Sequence, residues 1–146
     1  ACEAAGVPCV GYNIDMTSVA PNTALTSASM DWGVYYTYAV QSMIDGTAID
    51  TDWCKGFAEG ADKITSLNDK VVAEGTEEKV KEVEDAISDG SLHVFDTSTF
   101  TVDGKELDTY EKDGTEYISD GYFHESEYGS APAFDIAIDG ITSITE

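Results

Sequence analysis

Residues 10–46 constrain this chain more than any other stretch, because they read as strand, polar loop, strand and helix in one unbroken run. Residues 7–13 (VPCVGYN) are short and nearly all apolar, the pattern of a buried strand. That strand empties into Asn13 and Asp15, and residues 14–22 form a loop punctuated by Pro21. Residues 23–28 are a second short strand. Over 31–45 the residues Trp32, Tyr35, Tyr36, Ala39, Val40, Met43 and Ile44 recur at three- and four-residue spacing, which predicts a helix with one apolar face and Gly46 behind its last turn. Asp31 stands where a carboxylate accepts from the first free N–H groups and where negative charge favours the helix's positive end. In open α/β sheets, ligands sit just past the carboxyl ends of strands, so Asn13 and Asp15 mark the first place to look for a site.

Downstream, residues 67–73 predict a short helical turn, and residues 76–89 a second helix. Thr76 is its expected cap, Glu77 and Glu78 fill the first turn, and Val80, Val83 and Ile87 form an apolar stripe before Gly90. Glu77 and Lys81 are expected to pair at i,i+4. Residues 92–95 and 98–102 read as strands, with Asp103-Gly104 as a hairpin turn and 105–107 as the return. After Asp108, Asp, Glu, Gly, Ser and Tyr dominate, and from Asp103 onward acids outnumber lysines twelve to two. A closing hairpin is expected from 133–138 and 141–144 around Asp139-Gly140. Helices that follow strands in this way imply an α/β fold with a mostly parallel sheet.

At 146 residues and 42% hydrophobic, the chain has the length and composition of a globular domain. Its 29 acids face 7 lysines and no arginine, a net charge of −22. Such a surface repels phosphate backbones and anionic headgroups, which argues against nucleic acid and membrane surfaces as partners. The plain reading of the acidity is solubility. Cys2, Cys9 and Cys54 form no metal or redox spacing. Cys2 and Cys9 flank a helix-to-strand turn where a bridge is open but not required, and buried thiols are the expectation. No run of 18 apolar residues and no signal peptide is visible. The opening ACEAAG resembles the last turn of a helix with Gly6 as its stop, which suggests a piece of a longer chain.

The motifs of common catalysts are missing. His124-Glu125 begins like a metalloprotease helix, but Tyr128 stands where the second histidine is needed. The acidic runs at 50–52 and 103–116 do not match a calcium loop. No G-x-S-x-G, phosphate-binding loop or G-x-G-x-x-G occurs. Carboxylates can do acid–base work in pairs, but with 29 of them chance proximity is the default. Neither an enzyme nor a cofactor is expected.

Four pieces of the chain, in order, resemble the basic membrane lipoprotein family, substrate-binding proteins of ABC importers that include a purine nucleoside receptor branch. VGYNIDMTSVAP is similar to the family's strand with its acids and Ala-Pro, and ALTSASMDWGVYYTYAVQSMIDGT to the next strand, tryptophan-bearing turn and helix. WCKGFAEGADKITSLN resembles a glycine-punctuated strand pair, and TEEKVKEVEDAISDGSLHVFD a helix and the strand that recrosses the hinge. The resemblance covers roughly residues 1–105. It implies a type I periplasmic-binding-protein-like fold, here partial: residues 1–107 as the C-terminal part of two lobes that close around a hinge, and 108–146 as an acidic, Tyr-rich extension.

By the same resemblance, the position of a ribose-holding Asp is taken by Asn13, the next acid is kept as Asp15, and the position of a ligand-side Lys is taken by Met30. Asp31 and Trp32 follow directly, and an indole beside a cleft can stack on a flat ligand. Each also has an ordinary structural role: Asn13 in a turn, Asp15 in an exposed loop, Met30 in packing, Trp32 in the core. Trp53 and the stripe Tyr35, Tyr36 and Tyr38 read as packing. The expected function is an extracytoplasmic, lipid-anchored protein that captures a small polar metabolite, a nucleoside among the candidates, and presents it to the membrane permease of an ABC importer. The alternative is a surface interaction, adhesive or ligand-sensing module.

Overall fold

The computed structural model describes residues 1–125, 127–128 and 135–142, which form two compact units. The first comprises Ala1–Asp50 and Lys55–Leu92, the second Thr51–Cys54 and His93–Glu146.

In the first unit a single helical turn, α1 (Cys2–Ala5), ends on Gly6 at φ 65° and leads into β1 (Cys9–Asn13). Strand β2 (Ala24–Met30) lies parallel to β1, and β3 (Asp62–Ile64) adds antiparallel on its other side. The sheet order is β1-β2-β3, so β2 is central and β1 stands at an edge. Among the described residues only β1–β2 is parallel, and every other pairing is antiparallel, so the sheet content is mixed rather than mostly parallel. The edge position explains why β1 is not the buried strand its composition suggests. One flank of β1 has no partner among the described residues, and Val10 and Tyr12 remain 59% and 74% exposed.

Helix α2 (Trp32–Asp45) follows β2 directly and stops at Gly46, φ 68°, where the left-handed conformation favours glycine. Its periodic apolar stripe is present but largely uncovered. Trp32, Tyr36, Val40, Met43 and Ile44 are all exposed. Periodicity reports which face is apolar, whereas burial needs a partner surface, and here Tyr35 and Ala39 are half-buried while the other five side chains stay open. The loop after α2 carries a 3₁₀ turn, Phe57–Glu59, before β3.

The turn expected at 67–73 forms around Asn68, whose carbonyl accepts from Val71 and Val72 N–H at 2.9 and 3.1 Å. Helix α3 (Thr76–Ser88) then packs on the 3₁₀ turn. Gly75, not Thr76, caps it: Gly75 sits at φ 81°, and its carbonyl accepts from Lys79 N at 3.2 Å. The pair expected between Glu77 and Lys81 is replaced by Lys81–Asp85 at 2.9 Å, while Lys79 meets Glu82 at 2.7 Å. All four side chains are exposed, so these pairs contribute little beyond local helix stability.

The second unit is built from tight hairpins instead of the strands expected at 92–95 and 98–102. Asp96 captures Ser98 through its backbone N–H (2.9 Å) and hydroxyl (2.6 Å), which turns Thr97–Thr99 into a 3₁₀ turn. Short polar side chains that bond nearby backbone outcompete a ladder here. Two-residue Asp-Gly turns then recur: Asp103-Gly104 closes the Val102–Lys105 bridge, Asp113-Gly114 joins β4 (Glu111–Lys112) to β5 (Thr115–Glu116), and Asp120-Gly121 joins β6 (Ile118–Ser119) to β7 (Tyr122–Phe123). Both central residues have positive φ in all three, the geometry of a type I′ turn.

Phe123, 1% exposed, anchors this unit, with Tyr117 stacked on it at 5.5 Å and Tyr110 at 5.6 Å. Much of the acidity is structural. Glu116 accepts from Tyr110 and Ile118 N–H, and Asp139 accepts from Thr101 Oγ1 and from the N–H groups of Asp103 and Gly104. Of the closing hairpin, the turn at Asp139-Gly140 is seen in the bond from Ile141 N to Ile138 O (3.2 Å), and residues 135–138 and 141–142 carry no strand. Residues 133–134 and 143–144 lie outside the described residues. Cys2 and Cys9 are half-buried and form no bridge, and Cys54 is exposed rather than buried.

Candidate functional site

Parallel pairing, shifted once between Cys9 and Val10 and then regular from Val10↔Thr26 to Asn13↔Ser29, gives β1 and β2 a common carboxyl edge. Asn13 lies opposite Ser29, and the Ser29 hydroxyl donates to the Asn13 carbonyl at 2.8 Å. Beyond that row β1 passes into the loop that carries Asp15, and β2 passes through Met30 to Asp31 and Trp32. The five residues singled out in the sequence therefore gather at one end of one strand pair.

Asn13 is held at φ 75°, with Ile14 N–H bonded to Tyr12 O at 2.9 Å across it, a γ-turn. Asparagine tolerates this region better than most side chains, so part of its role is conformational. Its amide is exposed and carries no hydrogen bond among the described residues. Asp15 closes an Asx turn, accepting from Thr17 N–H at 2.8 Å and from the Thr17 hydroxyl at 2.7 Å. Those bonds favour its ionised form and hold its pKa below the ordinary carboxylate range. Met30 is half-buried and pairs with Asp62 of β3.

Asp31 caps α2 as expected, its Oδ1 accepting from Gly33 N–H at 3.0 Å, and its own N–H donates to Ala61 O at 2.7 Å. Its Oδ2 accepts from Lys63 Nζ at 3.1 Å. The Lys63 hydrogen bond, the Gly33 N–H and the lysine's charge together lower the Asp31 pKa. Trp32 stands 55% exposed, with its ring stacked on Tyr36 at 6.3 Å and 29°. It is thus an open aromatic face at the strand edge rather than a core residue.

Lys63 was not legible as a site residue. Strand β3 brings it opposite Ser29, which sets Asn13, Ser29 and Lys63 in one row across three strands. A short DKI strand has no periodicity to announce its register. The only available signal is one of seven lysines in an acid-rich chain.

Acid titration tests the Asp31 pairing. A carboxylate with a lowered folded pKa contributes stability that is present above its unfolded value, about pH 4, and is lost as pH falls through the folded value. The melting temperature is expected to fall below that range. Asp31→Asn, which keeps the cap acceptor but not the charge, should shallow the fall. Identical acid slopes for the two proteins would remove Asp31 from the account.

No protein-family model matches the chain. A purine-binding protein of Brucella abortus (strain 2308) is 32% identical over 108 residues, covering 70% of this chain. The chain spans 31% of that relative's length. The similarity is to a protein named for purine binding. Among the described residues, no helix is long and apolar enough to cross a membrane.

Proposed function

We propose that the chain is part of a solute-binding protein whose solute contains a purine, held at the shared carboxyl edge of β1 and β2. The observation that carries this reading is the parallel pairing of two strands, which sets Asn13 opposite Ser29 at their shared carboxyl ends. It brings an unbonded amide (Asn13), an ion pair (Asp31 with Lys63) and an open indole (Trp32) to one edge. A flat heteroaromatic ring needs a stacking face and a few fixed donors and acceptors, and this edge supplies both. The similarity to a purine-binding protein supports the choice of ring.

Within the same reading, residues 1–107 belong to a two-lobed, type I periplasmic-binding-like fold and residues 108–146 extend it. The uncovered faces of β1 and α2 support this, because apolar surface of that extent is what a larger fold would bury. Transfer of the solute to the permease of an ABC importer, outside the cytoplasm, completes the proposal.

Calorimetry and thermal shift on the intact protein with a panel of purines test it. A bound purine should raise the melting temperature as its concentration exceeds Kd. Trp32→Ala is expected to weaken binding about 10- to 100-fold, the worth of one base stacked on an aromatic side chain. Its effect on the unliganded melting temperature should be small, since the ring is already exposed. If no purine shifts the transition, or if Trp32→Ala binds like the parent, the reading fails.

A further inference from the structure

Of the acids at the carboxyl edge, Asp15 and Asp31 are already engaged, and Asp62, opposite Met30, alternates onto the face away from Lys63 and Asn13. Asp31 uses both oxygens, one for Gly33 N–H and one for Lys63. Asp15 gives Oδ1 to two donors from Thr17, which fixes its carboxylate in the loop. A pentose presents a vicinal diol whose two O–H groups need acceptors, and a carboxylate grips such a diol best with both oxygens open. Neither Asp15 nor Asp31 offers that here. A hydroxyl enclosed without an acceptor loses its bonds to water and gains nothing in return.

What remains unspent is different in kind. The Lys63 ammonium has three N–H donors and spends one on Asp31. Its side chain is half open, and β3 places it in the row that contains Asn13. The Asn13 amide offers a donor and an acceptor. With Trp32 as a flat wall, the set matches ring nitrogens and exocyclic groups rather than sugar hydroxyls. The ion pair is neutral as a unit and the chain carries a net charge of −22, so a phosphate gains no attraction at this edge.

We infer that Lys63 is a specificity-determining residue that donates to an acceptor on a free purine base, and that the site takes the base in preference to its nucleoside or nucleotide. The inference rests on the solute-binding reading above and adds to it the class of solute and the residue that selects it. Asp31 acts through Lys63, as a positioning residue that holds the ammonium at the edge while capping α2.

The test is calorimetry on the intact protein with adenine, adenosine and adenosine monophosphate, and with hypoxanthine and inosine. Each base is expected to bind at least about tenfold tighter than its nucleoside, with the monophosphate weakest. Lys63→Met should weaken base binding about tenfold or more, the effect of losing a charge-assisted hydrogen bond, and shrink the base-to-nucleoside ratio. Lys63→Arg should restore part of both, while the unliganded melting temperature of either variant stays near the parent's. Nucleosides binding as tightly as bases, or Lys63→Met leaving base affinity unchanged, overturns this inference and leaves purine binding standing. Failure of every purine to bind overturns both.

Discussion

Phe123→Ala is expected to cost about 3–5 kcal/mol and to unravel the hairpins of the second unit. Phe123 is 1% exposed, and the rings of Tyr110 and Tyr117 lie 5.6 and 5.5 Å from its own. Among the described residues of this unit few other large side chains are buried; Ile118, its strand partner, and His124 are two. The two-residue strands that surround it cannot hold by backbone bonds alone, since isolated hairpins are marginal in water. Removing the ring leaves a cavity that three short turns cannot collapse to fill. Hydrogen exchange read by mass spectrometry should show lost protection over residues 110–124. Protection unchanged in the variant would mean that the aromatic cluster is not what orders these hairpins. Phe123→Leu, which keeps most of the volume, should cost distinctly less.

Gly11→Val is expected to be nearly as damaging, for a reason of space rather than backbone freedom. A Cβ at Gly11 would lie 2.5 Å from Met16 Cγ and closer still to the hydroxyl of Ser27. Ser27 is fully buried and cannot retreat: its N–H bonds Thr65 Oγ1 at 2.9 Å, and its hydroxyl accepts from Met16 N–H at 3.2 Å. Overpacking of this kind typically costs about 1–3 kcal/mol for one added methyl, and a branched side chain falls at or beyond the upper end. Gly11→Ala should lower the urea midpoint, and Gly11→Val should lower it further. Because the loop from Met16 is what Gly11 admits so closely, the same variants should also weaken the purine binding proposed above. A midpoint for Gly11→Ala equal to the parent's would show that the loop can lift off β1 without cost.

How much could be read from the chain varied with the range of the interaction. The helix Trp32–Asp45 and its Asp31 cap are local, set by spacing and by one carboxylate two residues from the N–H it accepts. The turn Asp103-Gly104 was equally legible. Asp113-Gly114 and Asp120-Gly121 carry the same turn signal, but no alternating apolar residues flank them to mark strands on either side. The strands expected at 92–95 and 98–102 fail for the opposite reason. Their apolar residues suit a ladder, but Asp96 and Ser98 bond locally and pre-empt it. Register and burial were out of reach. Lys63 meets Asp31 only because β3 returns antiparallel along β2, and that depends on contacts between residues 32 positions apart.

By itself, the sequence determined the local elements and the grouping of Asn13, Asp15, Met30, Asp31 and Trp32 around two strand ends, since turn chemistry, capping and periodicity act within a few residues. The tertiary structure alone decided what that group can offer a ligand. It placed both carboxylates in bonds of their own, left the Asn13 amide and the Trp32 ring open, and brought in Lys63 from a third strand. The physical reason is that a polar side chain's availability depends on which partners reach it first, and most of those partners arrive through pairings that no local pattern encodes.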